Sequence, residues 1–116
     1  MASGGQEELF FICVAIYEAT SNAPDSSPLY EERFTLVTAP SQEAAVAKAN
    51  RLIASVTHRY RSVEGNEVAW TCKQVIDVAP LVDNEFVDGA EIYGRYFRDF
   101  AAYEHFEPRL KGKPLD

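Results

Sequence analysis

The chain has 116 residues, a net charge of −7 and 47 % hydrophobic residues, which suits one folded domain. This apolar content excludes disorder of the whole chain. The negative charge opposes general binding to nucleic-acid phosphates and to anionic membrane surfaces, so we expect neither nucleic acid nor membrane as a partner.

We expect a mobile start at residues 1–8, a single domain at residues 9–107 and a loose tail at residues 108–116. The start carries acids where a secretion signal needs bases, and the apolar run 9–16 is far shorter than the roughly 20 residues that span a bilayer. A cytoplasmic location is therefore expected. In a reducing cytosol, Cys13 and Cys72 are expected as buried thiols. With His58 and His105 they lack zinc-ligand spacing, so we expect no metal and no cofactor.

The first two predicted elements are strands. Residues 9–19 are apolar on both faces as far as Ala15, which predicts a central strand or one with a face covered by another element. Residues 20–29 have the composition of a loop, and residues 30–38 form the second predicted strand.

A long amphipathic helix is predicted from Ser41 to Arg61. Pro40 ends the preceding strand, Ser41 is a favourable N-cap, and Glu43 in the first turn suits the helix dipole. Small alanines near its start would let this helix lie close to a sheet. The apolar stripe at helical spacing consists of Ala45, Ala49, Leu52, Ile53, Val56 and Tyr60.

Two more strands are predicted, at residues 67–78 and 91–97, followed by a short C-terminal helix at 98–107. The predicted fold class is α+β: an antiparallel four-stranded sheet with one long helix packed on one face, in the order β-β-α-β-β. In the third strand, the inward side chains are expected to be those of Val68, Trp70, Cys72, Ile76 and Val78. The expected core includes Val14, Phe34, Leu36, Leu52, Ile53, Val56 and Trp70.

Four segments in this order resemble a known family. They are Leu-Tyr-Glu-Glu-Arg at 29–33, Ala-Pro-Ser-Gln-Glu-Ala-Ala at 39–45, Asn-Glu-Val-Ala-Trp at 66–70 and Asp-Gly-Ala-Glu-Ile-Tyr-Gly-Arg at 88–95. Together they are similar to a small bacterial family catalogued as domain of unknown function 4288. The resemblance covers residues 9–97. It supports the fold class and implies no activity, substrate or cofactor.

Aromatic residues concentrate near the C-terminus, where six rings fall within fourteen positions. One interpretation is that they cover the second face of the sheet. The other is that they bind a partner, because Tyr and Phe are enriched at interfaces, and a dimer would satisfy both interpretations. We expect a contact between two copies of the chain. The candidate partner-binding residues are Tyr93, Tyr96, Phe97, Phe100, Tyr103 and Phe106.

Charged residues on the predicted strands form a second candidate site. Glu32, Arg33, Glu91 and Arg95 are interpreted as a possible polar cluster, either cross-strand ion pairs or carboxylates for acid–base work. Glu31 and Glu32 point to opposite faces of a strand, so they cannot form a catalytic pair. No catalytic residue is assigned.

Three functions stay open on the sequence alone. The first is a non-enzymatic protein-interaction domain, which self-associates or binds another protein partner. The second is a small-ligand-binding module with a pocket between helix and sheet. The third is an enzyme that uses strand carboxylates.

Overall fold

The computed structural model describes residues 8–83 and 85–112. Residues 1–7 of the expected mobile start and residues 113–116 of the expected tail lie outside the described residues. The elements in chain order are β1 (Leu9–Ser21), β2 (Leu29–Ala39), α1 (Gln42–Ala49), a π-helical turn (Asn50–Ala54), β3 (Thr57–Arg61), β4 (Glu67–Pro80), α2 (Phe100–Phe106) and a 3-10 helix (Pro108–Lys111).

The four strands form one antiparallel sheet in the order β2-β1-β4-β3. The predicted α+β class, the antiparallel sheet and the order β-β-α-β-β are confirmed. Strand β1 lies between β2 and β4, as expected for a strand that is apolar on both faces.

One face of the sheet, which we call the helix face, carries the main core. Cys13 and Ala15 of β1 pack there with Val37 of β2 and Val78 of β4. The start of α1 lies on this face. Ser41 caps it, its hydroxyl accepting a hydrogen bond from the Ala44 backbone N–H at 3.1 Å. The helical residues that complete this core are Ala45, Ala49 and Ile53.

The opposite face, which we call the second face, carries a smaller core. Ile12 and Val14 of β1 pack there with Leu81, which follows β4. Phe10 and Tyr93 pack against this cluster. Strand β1 is therefore covered on both of its faces.

Two irregularities in β4 decide which of its side chains reach the helix face. The pairing of β1 with β4 shifts between Val14 and Ala15 and again between Ile16 and Tyr17. Each shift reverses the alternation of β4, as a bulge does. Val75 therefore packs against the helix-face core, whereas Ile76 is exposed. The prediction that Ile76 points inward and Val75 outward was wrong for this reason.

The helix is shorter than predicted. It ends at Ala54, and residues 57–61 form the edge strand β3 instead of a last helical turn. Ser62–Asn66 closes a hairpin that pairs β3 with β4, and Gly65 there has a φ of +88°. The backbone hydrogen bonds gained along β4 outweigh the weak helical preference of Val56, Thr57 and Tyr60.

The predicted strand at 91–97 is also wrong, because these residues form no strand. The two edges of the sheet are β2 and β3. Residues 81–83 and 85–95 instead include side chains that contact the second face.

The shorter helix changes the expected core. Ile53 and Val14 are buried and Trp70 packs against the helix-face core, as predicted. Four other expected core residues are about half exposed: Leu52, Val56, Phe34 and Leu36. Leu52 and Val56 lie at the end of the helix, whereas Phe34 and Leu36 lie on the thinly covered second face.

We predict that two neighbouring substitutions in the helical segment lower the stability of the fold by very different amounts. Ile53→Ala should cost about 2–5 kcal/mol in the free energy of unfolding, because Ile53 is 5 % exposed and its removal leaves a cavity. Leu52→Ala should cost less than about 1 kcal/mol, because Leu52 is 52 % exposed. Urea unfolding of both variants measures this, and equal losses would contradict the observed helix orientation.

Candidate functional site

The segment that follows β4 covers part of the second face. The rings of Phe10 and Phe86 have centroids 4.9 Å apart, and those of Phe34 and Tyr93 lie 5.5 Å apart, edge to face. Tyr93, one of the six candidate partner-binding residues, is therefore placed against its own sheet. The other five lie further along the chain.

Tyr93 is fixed by a hydrogen bond as well as by packing. Its hydroxyl donates to Oδ2 of Asp77 in β4 at 2.7 Å. Burial, followed by this hydrogen bond, raises the pKa of Tyr93 to about 12. The contact holds the segment on the second face and occupies the Asp77 carboxylate.

The four residues of the predicted polar cluster do not come together at one site. Arg95 pairs with Glu32 at 3.5 Å, with both side chains largely exposed. Arg33 lies on the opposite face of β2. Glu91 uses its backbone, its N–H donating to Oδ2 of Asp83 at 2.9 Å. The cluster is thus divided among three places.

Arg33 is held on the helix face by two neighbours. Its Nη2 lies 2.6 Å from Oε1 of Glu31, and its guanidinium carbon lies 3.8 Å from the centre of the Tyr17 ring. The hydrogen bond to Glu31 raises the pKa of Arg33, so this side chain is a permanent positive charge beside an aromatic ring.

Residues 96–112 form what we call the C-terminal arm. All seven residues of α2 in this arm are exposed. Tyr96, just before α2, is completely exposed, and the ring of Tyr103 stacks on Phe97 at 5.0 Å and on Phe100 at 6.3 Å. The arm therefore presents a row of aromatic side chains to the surroundings.

The helix is locally well formed although it is short. Oδ1 of Asp99 accepts a hydrogen bond from the Ala102 backbone N–H at 3.0 Å, which caps its first turn. The Glu107 backbone N–H donates to the Tyr103 carbonyl at 2.8 Å, and the 3-10 helix begins at Pro108. These bonds hold the helical backbone that carries Phe100, Tyr103 and Phe106.

A groove lies on the helix face where α1 ends early. It has a volume of about 430 Å³. Its lining includes Leu52 from the end of the helical segment and Val56 just after it, Tyr17 from β1 and Arg33 from the edge strand β2, and Tyr60 and Trp70 from the β3–β4 hairpin. Sequence reasoning missed this groove because it extended the helix over the same surface.

The groove differs from the rest of this acidic chain in its charge. Arg33, which is paired with Glu31, is the cationic side chain in its lining, and Lys48 lines the adjoining depression along α1. Among the described residues that line these two depressions, none is Asp or Glu. His58 lines this site, whereas its neighbour Arg59 lines a different depression, and the helix predicted as far as Arg61 gives no sign of this alternation.

The comparisons with known proteins identify the family. The model of the family described as Domain of unknown function (DUF4288) matches residues 10–94. The chain belongs to this family. The match includes the sheet and the groove and ends before the arm. No curated protein and no solved structure matches the chain.

Within residues 8–83 and 85–112, no group of three or more His, Cys, Asp and Glu side chains is placed to hold a metal ion. No helix in the same ranges has the length and apolar character needed to cross a membrane.

The pKa of Tyr93 predicts a pH dependence of stability. Its pKa is about 12 in the folded chain and about 10 when unfolded, so its contribution is fully present below pH 10 and is lost as the pH rises to 12. Tyr93→Phe lacks this contribution. The difference in unfolding free energy between the native chain and Tyr93→Phe should therefore shrink between pH 10 and 12, and a constant difference would contradict it.

We predict that Cys13 is inert in the native protein. It is completely buried, and burial raises the pKa of its thiol. A Cys72→Ala variant isolates Cys13 for labelling with a thiol reagent. Labelling should require unfolding by urea, and fast labelling without urea would show that β1 is accessible.

Proposed function

We propose that this chain is a non-enzymatic protein-interaction domain that self-associates through its C-terminal arm. The observation that carries the proposal is the exposure of all seven α2 residues, three of which are aromatic. Soluble monomers rarely leave a contiguous apolar patch larger than a few hundred Å² exposed. A second copy that buries the aromatic row removes this cost.

The residues that we assign to the contact are five of the six aromatic candidates. Phe97, Phe100, Tyr103 and Phe106 form the row at helical spacing, and Tyr96 precedes it. Aromatic side chains supply large contact area with few rotatable bonds, which suits an interface. Tyr93 fixes the chain to its own sheet just before the arm begins.

A cytoplasmic location is part of this proposal. Cys13 and Cys72 are both free thiols, which a reducing compartment maintains. The net charge of −7 supports solubility of the free protein at the concentrations that self-association needs.

The groove has less support as a site for a small molecule. Leu52, Val56 and Tyr60 in its wall are about half exposed. Sites for small ligands bury most of the ligand surface, which a shallow groove cannot do. A catalytic role for the strand carboxylates is also weakly supported, because Glu31, Glu32 and Asp77 each contact another side chain.

We predict that replacing Phe100 and Phe106 with Ala converts a dimer to a monomer. Both rings are more than half exposed, so the folded monomer should lose little stability while the contact loses its anchors. Sedimentation velocity at high micromolar concentration measures the change. Val63→Ala, at a side chain 98 % exposed in the β3–β4 turn, is the control and should stay dimeric. A native chain that sediments as a monomer would overturn the proposal.

A further inference from the structure

We infer that the groove on the helix face is the docking site for the aromatic row of the arm of a second copy. This inference rests on the proposed self-association and adds the surface that receives the arm. The occupant is residues 97–107 of the partner copy. The receiving surface is formed by the end of the helical segment, by Tyr17 and Arg33, and by the β3–β4 hairpin.

The position of the arm favours a partner's groove. Arg95 pairs with Glu32, and Tyr93 packs on Phe34, both on the second face. The arm therefore begins on the face opposite to the groove. Exchange between two copies would place each arm in the other copy's groove and form two equivalent contacts, as a closed dimer requires.

Charge complementarity favours this groove over other apolar surfaces. Residues 97–107 contain Asp99, Glu104 and Glu107 against Arg98, which gives a net charge of −2 with His105 neutral. Glu104 lies one helical turn after Phe100 and therefore beside the aromatic row. The groove offers Arg33, which it shares with Glu31, and Lys48 lines the adjoining depression, without a carboxylate among the described lining residues of either.

The second face is a poorer match for the arm. Its exposed apolar residues, Phe34 and Leu36, lie on the same face of β2 as Glu32, and Asp77 is held nearby by Tyr93. Because Glu32 is paired with Arg95, the repulsion of Glu104 and Glu107 of an incoming arm would come mainly from Asp77. That face is also partly covered by Leu81, Phe86 and Tyr93 of the same chain.

The shape of the aromatic row suits the groove. Side chains at every third residue of a short helix form a ridge, and the early end of the helical segment leaves a trough. Leu52, Val56 and Tyr60 are half exposed along the trough, so the ridge would cover apolar area on both copies. The single tryptophan, Trp70, lines the trough and reports on its occupancy.

The first experiment places a charge in the groove. Val56→Glu and, separately, Leu52→Glu introduce a carboxylate at half-exposed positions. Each should raise the dimer dissociation constant at least about tenfold, as loss of a central apolar contact does. Val63→Glu is the matched control, because it makes the same change at an exposed turn, and should leave the constant unchanged. Far-UV circular dichroism confirms that each variant is folded.

The second experiment tests whether two variants with different defects can form a dimer with each other. A chain with Val56→Glu keeps its arm and loses its groove, whereas a chain with Phe100→Ala and Phe106→Ala keeps its groove and loses its arm. Mixing the two should restore a heterodimer with one arm–groove contact, and the emission of Trp70 should change on mixing. A chain with all three substitutions mixed with the native chain should form no heterodimer.

The outcomes separate the two claims. A native chain that is monomeric would overturn both the self-association and the groove. A native dimer that needs Phe100 and Phe106 but tolerates Val56→Glu and Leu52→Glu would leave self-association standing and overturn the groove as its site. Heterodimers that fail to form on mixing would overturn it too, since arms that contact only each other give homodimers of the groove variant.

Discussion

Strand β1 is apolar on both faces and lies between two other strands, so the sheet is stable only if both of its faces are covered. On the helix face, Cys13 and Ala15 are small and buried, and Ala45 and Ala49 of α1 approach them closely. On the second face, Ile12 and Val14 depend on Leu81 and Tyr93. The helix and the segment after β4 thus bury the two apolar faces of β1.

The two covers differ in how they are attached. The helical cover uses apolar packing together with Lys48 and Gln42, whose side chains donate to the Thr38 and Val78 carbonyls at 2.7 and 2.6 Å. The second cover has little regular structure and depends on aromatic rings and the Tyr93–Asp77 hydrogen bond. Neither spans its whole face, which leaves Phe34 and Leu36 half exposed on one side and the groove open on the other.

The sequence predicts most elements that have a strong local signal. The both-sided apolar pattern of β1 and the Pro40–Ser41 break before α1 were sufficient to place a central strand and a helix start. The end of the helix was not predictable in the same way. The sequence of residues 57–61 is compatible with a helix and with a strand, and the strand forms because these residues pair with β4, which lies further along the chain.

In the candidate site, too, some features have a local sequence signal and others depend on the assembled fold. The aromatic row of the arm was visible from composition, since its residues recur at every third position of a short helix. The groove was not visible, because it forms where the helical segment stops and β3 begins. An absence of cover is a property of the assembled fold and has no local sequence pattern.

Strand β3 shows what occupation of the groove would do to the domain itself. It is an edge strand of five residues, all exposed, and among the described residues it pairs with β4 alone. A partner's arm beside His58 and Tyr60 would add contacts to the part of the sheet that has fewest of its own. Because binding to the folded state alone raises its stability, the β3–β4 hairpin should gain protection as dimers form. Self-association would then complete the sheet's incomplete cover, with one copy supplying what the early end of the other copy's helix leaves open.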